Sequence, residues 1–144
     1  MAPRAHMISV LAACLAAFAL TLAPARANDA AAGRAVIESQ IEAFLSDDMS
    51  TAYSFAAPNI KKMYPDENRF FDMVKRGYAP VYRPGNYAFG RSKVAPDGSG
   101  LFQEVLIQGP NGRDWTALYS LERQPDGSFK INGVQMIKAA APQT

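Results

Sequence analysis

Three Pro-Asx-Gly triplets set the frame of this chain: Pro96-Asp97-Gly98, Pro110-Asn111-Gly112 and Pro125-Asp126-Gly127. Asp-Gly and Asn-Gly tolerate the positive φ angles that tight hairpin turns require, which makes them the strongest short-range signals in a sequence. Each triplet is flanked by runs long enough for a strand: about Asn86–Ala95, Leu101–Gln108, Arg113–Gln124 and Ser128–Lys138. The spacing therefore predicts a four-stranded antiparallel meander. Alternation fixes its faces: Trp115, Ala117, Tyr119 and Leu121 share one side of their strand, and Thr116, Leu118, Ser120 and Glu122 the other. Phe129 and Ile131 continue the apolar side on the last strand. Asn132-Gly133 then marks a bulge, after which Val134 and Met136 turn inward.

An apolar sheet face needs a cover, and the segment before the sheet supplies one. Within Ala30–Ser46, Ile37, Ile41, Phe44 and Leu45 fall at i, i+4, i+7 and i+8, with Glu38, Gln40 and Glu42 on other faces, the pattern of an amphipathic helix. Asp48 is a good N-cap for a short second helix carrying Met49, Ala52, Tyr53 and Ala56, which Pro58 ends. Asn59–Tyr64 reads as a partial helical turn. Pro65-Asp66-Glu67 opens a third helix with negative charge at the positive end of its dipole; Phe70, Met73 and Val74 form its apolar face and Gly77 stops it. Tyr78–Pro84 carries two prolines, so it is expected to be a stiff, extended connector into the first strand. Three helices with single apolar stripes on a curved antiparallel sheet make an α+β domain.

The N-terminus has the form of a secretory signal peptide: Arg4, the uncharged apolar run Met7–Ala23, and the small-x-small end Ala25-Arg26-Ala27. Cleavage is expected between Ala27 and Asn28, leaving residues 28–144 as one periplasmic or secreted domain with no membrane attachment. Leu11-Ala12-Ala13-Cys14 also fits a lipoprotein box. However, the most hydrophobic stretch, Leu15–Leu22, follows the cysteine, where a processing site would cut the apolar region in two. Removing the signal takes Arg4 and Arg26 from 15 basic residues and none of the 13 acidic ones, so the mature chain is close to neutral. A neutral chain has no electrostatic footprint for nucleic acid.

His6 and Cys14 both lie in the signal, so the mature chain has neither residue type. This excludes disulfides, Ser-His-Asp triads, cysteine nucleophiles and His-based metal sites, and no cofactor motif is present. Capping accounts for Asp47 and Asp48, and turns for Asp97, Asp114 and Asp126. An exposed sheet face accounts for Glu104 and Glu122. The candidate ligand-binding residues are Tyr78, Tyr82 and Arg83 on the connector, facing Trp115 and Tyr119 on the sheet. Two phenols and a guanidinium there suit an apolar or anionic small molecule; the preferred reading is structural, with the tyrosines packed as lids over the core and Arg83 paired with a surface acid. Trp115 and Tyr119 read first as plain core, in which case truncating Trp115 to alanine costs roughly 3–5 kcal/mol. Leu106 and Leu118 among polar neighbours hint at a homodimer through the sheet.

Four stretches carry resemblances, two to a superfamily and two to a family. Ile41-Glu42-Ala43-Phe44-Leu45-Ser46-Asp47-Asp48, followed by a small-residue helix and Ala57-Pro58, is similar to the first helical pair of the NTF2-like (cystatin-like) superfamily. Asp126-Gly127-Ser128-Phe129-Lys130-Ile131-Asn132-Gly133 is similar to that fold's final strand. Phe70–Pro84 and Trp115–Gln124 resemble the bacterial family called domain of unknown function 4864, over nearly all of Ala30–Ile137. The resemblance implies a cone-shaped sheet with a pocket beside the helices, and it carries no activity, since this scaffold hosts isomerases, dehydratases and non-enzymatic modules alike. Proton-abstracting members use an Asp or His base with tyrosine or protonated aspartate donors. The sequence shows no clear equivalent, so a non-catalytic small-ligand-binding or protein-interaction module is the expectation. An acid/base enzyme using a pocket carboxylate and tyrosine is the alternative.

Overall fold

The computed structural model of the protein describes residues 23–139. The order is α1 (Ala23–Leu45), α2 (Met49–Ser54), α3 (Pro58–Met63), α4 (Glu67–Gly77) and α5 (Ala79–Tyr82), then β1 (Tyr87–Val94), β2 (Gly100–Gln108), β3 (Asp114–Arg123) and β4 (Phe129–Lys138). The strands lie in the order β1-β2-β3-β4, each antiparallel to the next. The expected α+β meander is present. Its three turns place Gly98, Gly112 and Gly127 at φ of 73°, 78° and 87°, the region that glycine enters without a Cβ clash. Expectations that fall on residues 1–22, including most of the apolar run and Cys14, lie outside the described residues. α1 is continuous across Ala27 and Asn28. Among the described residues no helix is long and apolar enough to cross a membrane.

The register confirms the faces read from alternation. Leu101 pairs with Leu121, Gln103 with Tyr119 and Val105 with Ala117, all buried on the helix side. Phe102, Leu106 and Ile137 point away and are 51 %, 51 % and 45 % exposed. The bulge expected at Asn132-Gly133 is there: pairing passes from Ser120 with Gly133 to Leu121 with Ile131, leaving Asn132 as the extra residue. A second bulge went unread. In β1, Gly90 and Arg91 together oppose Glu104, between the pairs Phe89 with Val105 and Ser92 with Gln103. Gln103 sits behind this bulge, fully buried, and donates through Nε2 to the carbonyls of Gly90 and Glu104 at 3.2 and 2.8 Å.

α1 packs across the sheet on the face formed by Ile37, Gln40, Ile41 and Phe44. Gly33 continues that face where helix and sheet approach closely: a Cβ there would lie 2.8 Å from Leu101 Cδ2. Two details of the expected stripe are corrected. Leu45 is 46 % exposed, and Gln40 is buried. Gln40 lies three residues after Ile37 and four before Phe44, so helical geometry puts it inside despite its polarity.

α1 ends in a Schellman motif. Asp48 N–H donates to the Ala43 carbonyl at 2.8 Å and Asp47 N–H to that of Phe44 at 3.1 Å, with Asp47 left-handed at φ 52°. Asp48 then caps α2 by accepting from Thr51 N–H. Pro58 opens α3 as well as closing what precedes it, because a first-turn proline forfeits only an amide that has no intrahelical partner. The same rule overturns the extended connector: Pro80 lies in the first turn of α5, so Tyr78–Pro84 is largely one turn of helix.

Candidate functional site

The linker between α2 and α3 is stitched to the edge of β4. Ala57 N–H donates to the Ile131 carbonyl and Ile131 N–H to the Phe55 carbonyl, both at 2.8 Å. Between this seam, α1 and α4 lies a cavity of about 150 Å³. Phe44 comes from α1, Ile60 and Met63 from α3, Phe70 and Val74 from α4, and Val134 from β4 beyond the bulge. Tyr78 and Val81 also line it. An apolar cavity of that order takes a molecule the size of benzene.

Gln40 is the polar feature of the wall. It is 3 % exposed, and its Nε2 donates to the Ala52 carbonyl at 3.1 Å. That acceptor fixes which way the amide faces. Oε1 receives no hydrogen bond from a described residue, so a ligand that donates one finds an oriented acceptor. The lining contains no Asp, Glu, Lys or Arg; its ionisable groups are the phenols of Tyr64 and Tyr78.

The structure separates the five residues singled out from the sequence. Tyr78 lines the cavity. Tyr82 and Arg83 instead build a joint between α5 and the end of α1. Arg83 Nη2 pairs with Asp47 Oδ2 at 2.8 Å, Nη1 donates to the Phe44 carbonyl, and the Tyr82 hydroxyl donates to Asp47 Oδ1. The guanidinium also stacks over the Tyr82 ring, 4.1 Å from its centroid. A cation on the last carbonyls of a helix is favourably placed in its dipole. Arg83 is thus committed to holding the chain, and the Tyr78–Pro84 segment does not cap the cavity as a whole.

The Tyr82 hydrogen bond, and after it the Arg83 guanidinium, hold the Asp47 carboxyl below its usual range. A depressed folded pKa contributes stability above the unfolded value, near pH 3.9, and loses it as pH falls through the folded value. Asp47→Asn keeps the left-handed backbone comfortable, so it removes the charge alone. The variant is expected to melt below wild type at pH 7, with the gap in Tm closing between about pH 4 and pH 2. A gap that stays constant over that range would remove the ion pair from the account.

Tyr119 is fully buried, and its hydroxyl has no hydrogen-bond partner among the described residues; burial pushes its pKa up. Trp115 is only half-buried and lies outside the core, on a shallow groove at the other end of the strands with Asn86, Tyr87 and Leu106. The expected cost of its truncation is corrected downward accordingly. Gln40, Met63, Tyr64 and Val134 were not foreseen as site residues. For Gln40 the signal was present: a polar residue set within the spacing of an apolar stripe. Neither a curated protein nor a solved structure matches the chain. The profile of the family described as Domain of unknown function (DUF4864) matches residues 26–144, and with that span the chain belongs to this family.

Proposed function

We propose that this chain is an exported, NTF2-like binding module that holds a small, largely apolar molecule in the cavity beside β4 without acting on it chemically. The observation that carries the reading is the lining: an apolar wall with one oriented amide acceptor and no acid or base beyond two phenols. The alternative, an isomerase or dehydratase, needs a carboxylate beside a tyrosine within such a cavity. Among the described residues a tyrosine hydroxyl donates to a carboxylate at Asp47, with Tyr82, on the exposed corner after α1. The buried Tyr119 hydroxyl meets no hydrogen-bond partner among the described residues.

The test uses p-cresol, one apolar ring with one donor, in an NMR titration. Shifts are expected at Gln40, Val74 and Val134, and they should vanish in Val134→Phe, which fills the cavity. Tyr119→Phe is expected to keep that binding and gain about 1 kcal/mol of stability, because it removes an unpaired buried hydroxyl. No shifts in wild type, or shifts confined to the Trp115 groove, would end this reading.

Export rests on residues 1–27. Self-association through the outer sheet face rests on Phe102, Leu106 and Ile137, which lie exposed there. Native mass spectrometry of the protein from an expressing bacterium reads both. It should find a dimer of chains beginning at Asn28; a lipidated Cys14 contradicts the first, and a monomer at micromolar concentration the second.

A further inference from the structure

We propose that the ligand is a monocarboxylate with a small apolar body, whose head group is held at the cavity mouth by Arg69 and Arg76. The inference rests on the cavity reading above and adds the charge and the residues that read it. Met63 and Tyr64 line the cavity, and they also line a second, open hollow whose remaining walls are Arg69, Met73, Arg76 and Gly77 of α4. The two spaces therefore share a lip. Arg69, Met73 and Arg76 follow at i, i+4 and i+7, which puts both guanidinium groups on one side of α4. The lip itself is apolar, with Met63 65 % exposed. A molecule seated with its body in the cavity and its head at this lip passes from an apolar wall to two cations.

The other arginines with carboxylate partners show how this pair differs. Arg83, Arg91 and Arg123 pair with Asp47, Glu104 and Asp29 at 2.8, 2.8 and 2.6 Å. Arg69 and Arg76 make no ion pair among the described residues; Arg76 Nε donates only to the Asp72 carbonyl of its own helix, at 3.3 Å. Asp72 lies between them on α4, and its carboxylate pairs with neither. The nearby lysines are partly engaged, since Lys61 sits over the Tyr53 ring and Lys75 over that of Phe71. Two unpaired, planar guanidinium groups beside an apolar mouth favour a carboxylate, which each fork matches with two hydrogen bonds. At the inner end, Gln40 Oε1 accepts from a hydroxyl on the apolar body.

The experiment compares 4-(4-hydroxyphenyl)butyrate with its neutral primary amide by calorimetry, with p-cresol as the reference for the cavity alone. The acid should bind roughly three- to tenfold more tightly than the amide at low salt, as expected for partly exposed charge pairs. Most of that advantage should disappear in 0.5 M NaCl. The Arg69→Gln, Arg76→Gln double variant, altered only at exposed positions, should bind acid and amide alike while p-cresol binding stays as in wild type. Equal binding of acid and amide to wild type, or an undiminished preference in the double variant, overturns the head-group assignment and leaves the cavity reading standing. Failure of p-cresol to bind removes both.

Discussion

Replacing Phe44 by alanine is expected to lower the unfolding free energy by about 3–5 kcal/mol, the range for truncating a fully buried aromatic. Phe44 is 1 % exposed and sits where three helices meet. Its ring lies 6.4 Å from Phe70 and 5.9 Å from Phe71 of α4, and 6.3 Å from Tyr82 of α5. It also walls the cavity, so the space vacated joins space already empty. The Asp47–Arg83 joint and the strand seam hold the surrounding backbone apart, and limited collapse raises the cost of a cavity. Trp115→Ala should cost well under half as much, because its ring is only half-buried at the end of the sheet. Urea unfolding of both variants decides the ranking. A larger loss from Trp115 would mean that the core is centred on the sheet's end and not on α1.

The sequence implies the full core cost for Trp115, and the reason the structure lowers it is local. Alternation places Trp115 on the inner face correctly, but a face says nothing about how far along the strand the helices reach. Turn chemistry was fully legible, because Pro-Asx-Gly acts within three residues and needs no partner. The β4 bulge was legible for the same reason, through Asn132-Gly133. The β1 bulge was not: Gly90 alone is a weak mark, and what sustains the bulge is Gln103, thirteen residues on and across the ladder. That Arg83 pairs with a surface acid is readable from its type, but which acid is not: Asp47 lies 36 residues earlier, at a corner created by the Schellman motif. Pro80 implies an extended segment because proline breaks helix interiors, yet in a first turn the same missing amide does no harm. What the sequence left open is which polar groups are already taken. Among the described residues Arg83 is taken and Arg69 is not, and only the fold separates two residues of the same kind.

Gln103→Leu should destabilise the protein by about 2 kcal/mol, although it places the more hydrophobic side chain in a fully buried, largely apolar setting. Its neighbours on the inner face of β2 are Leu101 and Val105, and Tyr119 lies opposite. A leucine there gains roughly 1–2 kcal/mol from added apolar burial. Against this stands the work of the amide. Nε2 donates to the carbonyls of Glu104, Gly90 and Arg91 at 2.8, 3.2 and 3.3 Å, and the Ser92 hydroxyl donates to Oε1. The bulge takes Gly90 and Arg91 out of regular pairing, so carbonyls that a flat ladder would satisfy depend on this side chain. Leucine leaves at least two such groups with reduced or no donors, at about 1–3 kcal/mol for each buried orphan, and the losses exceed the gain. The damage should be local first. β1 is an edge strand held on one side only, so its amides are expected to exchange faster with deuterium than those of β3 under native conditions. If Gln103→Leu is neutral or stabilising and β1 keeps its protection, the bulge carbonyls find water in solution, and Gln103 is packing rather than a clasp. If β1 loosens while β3 holds, the clasp is real, and the irregularity in β1 persists because one buried amide answers the groups that the bulge sets free.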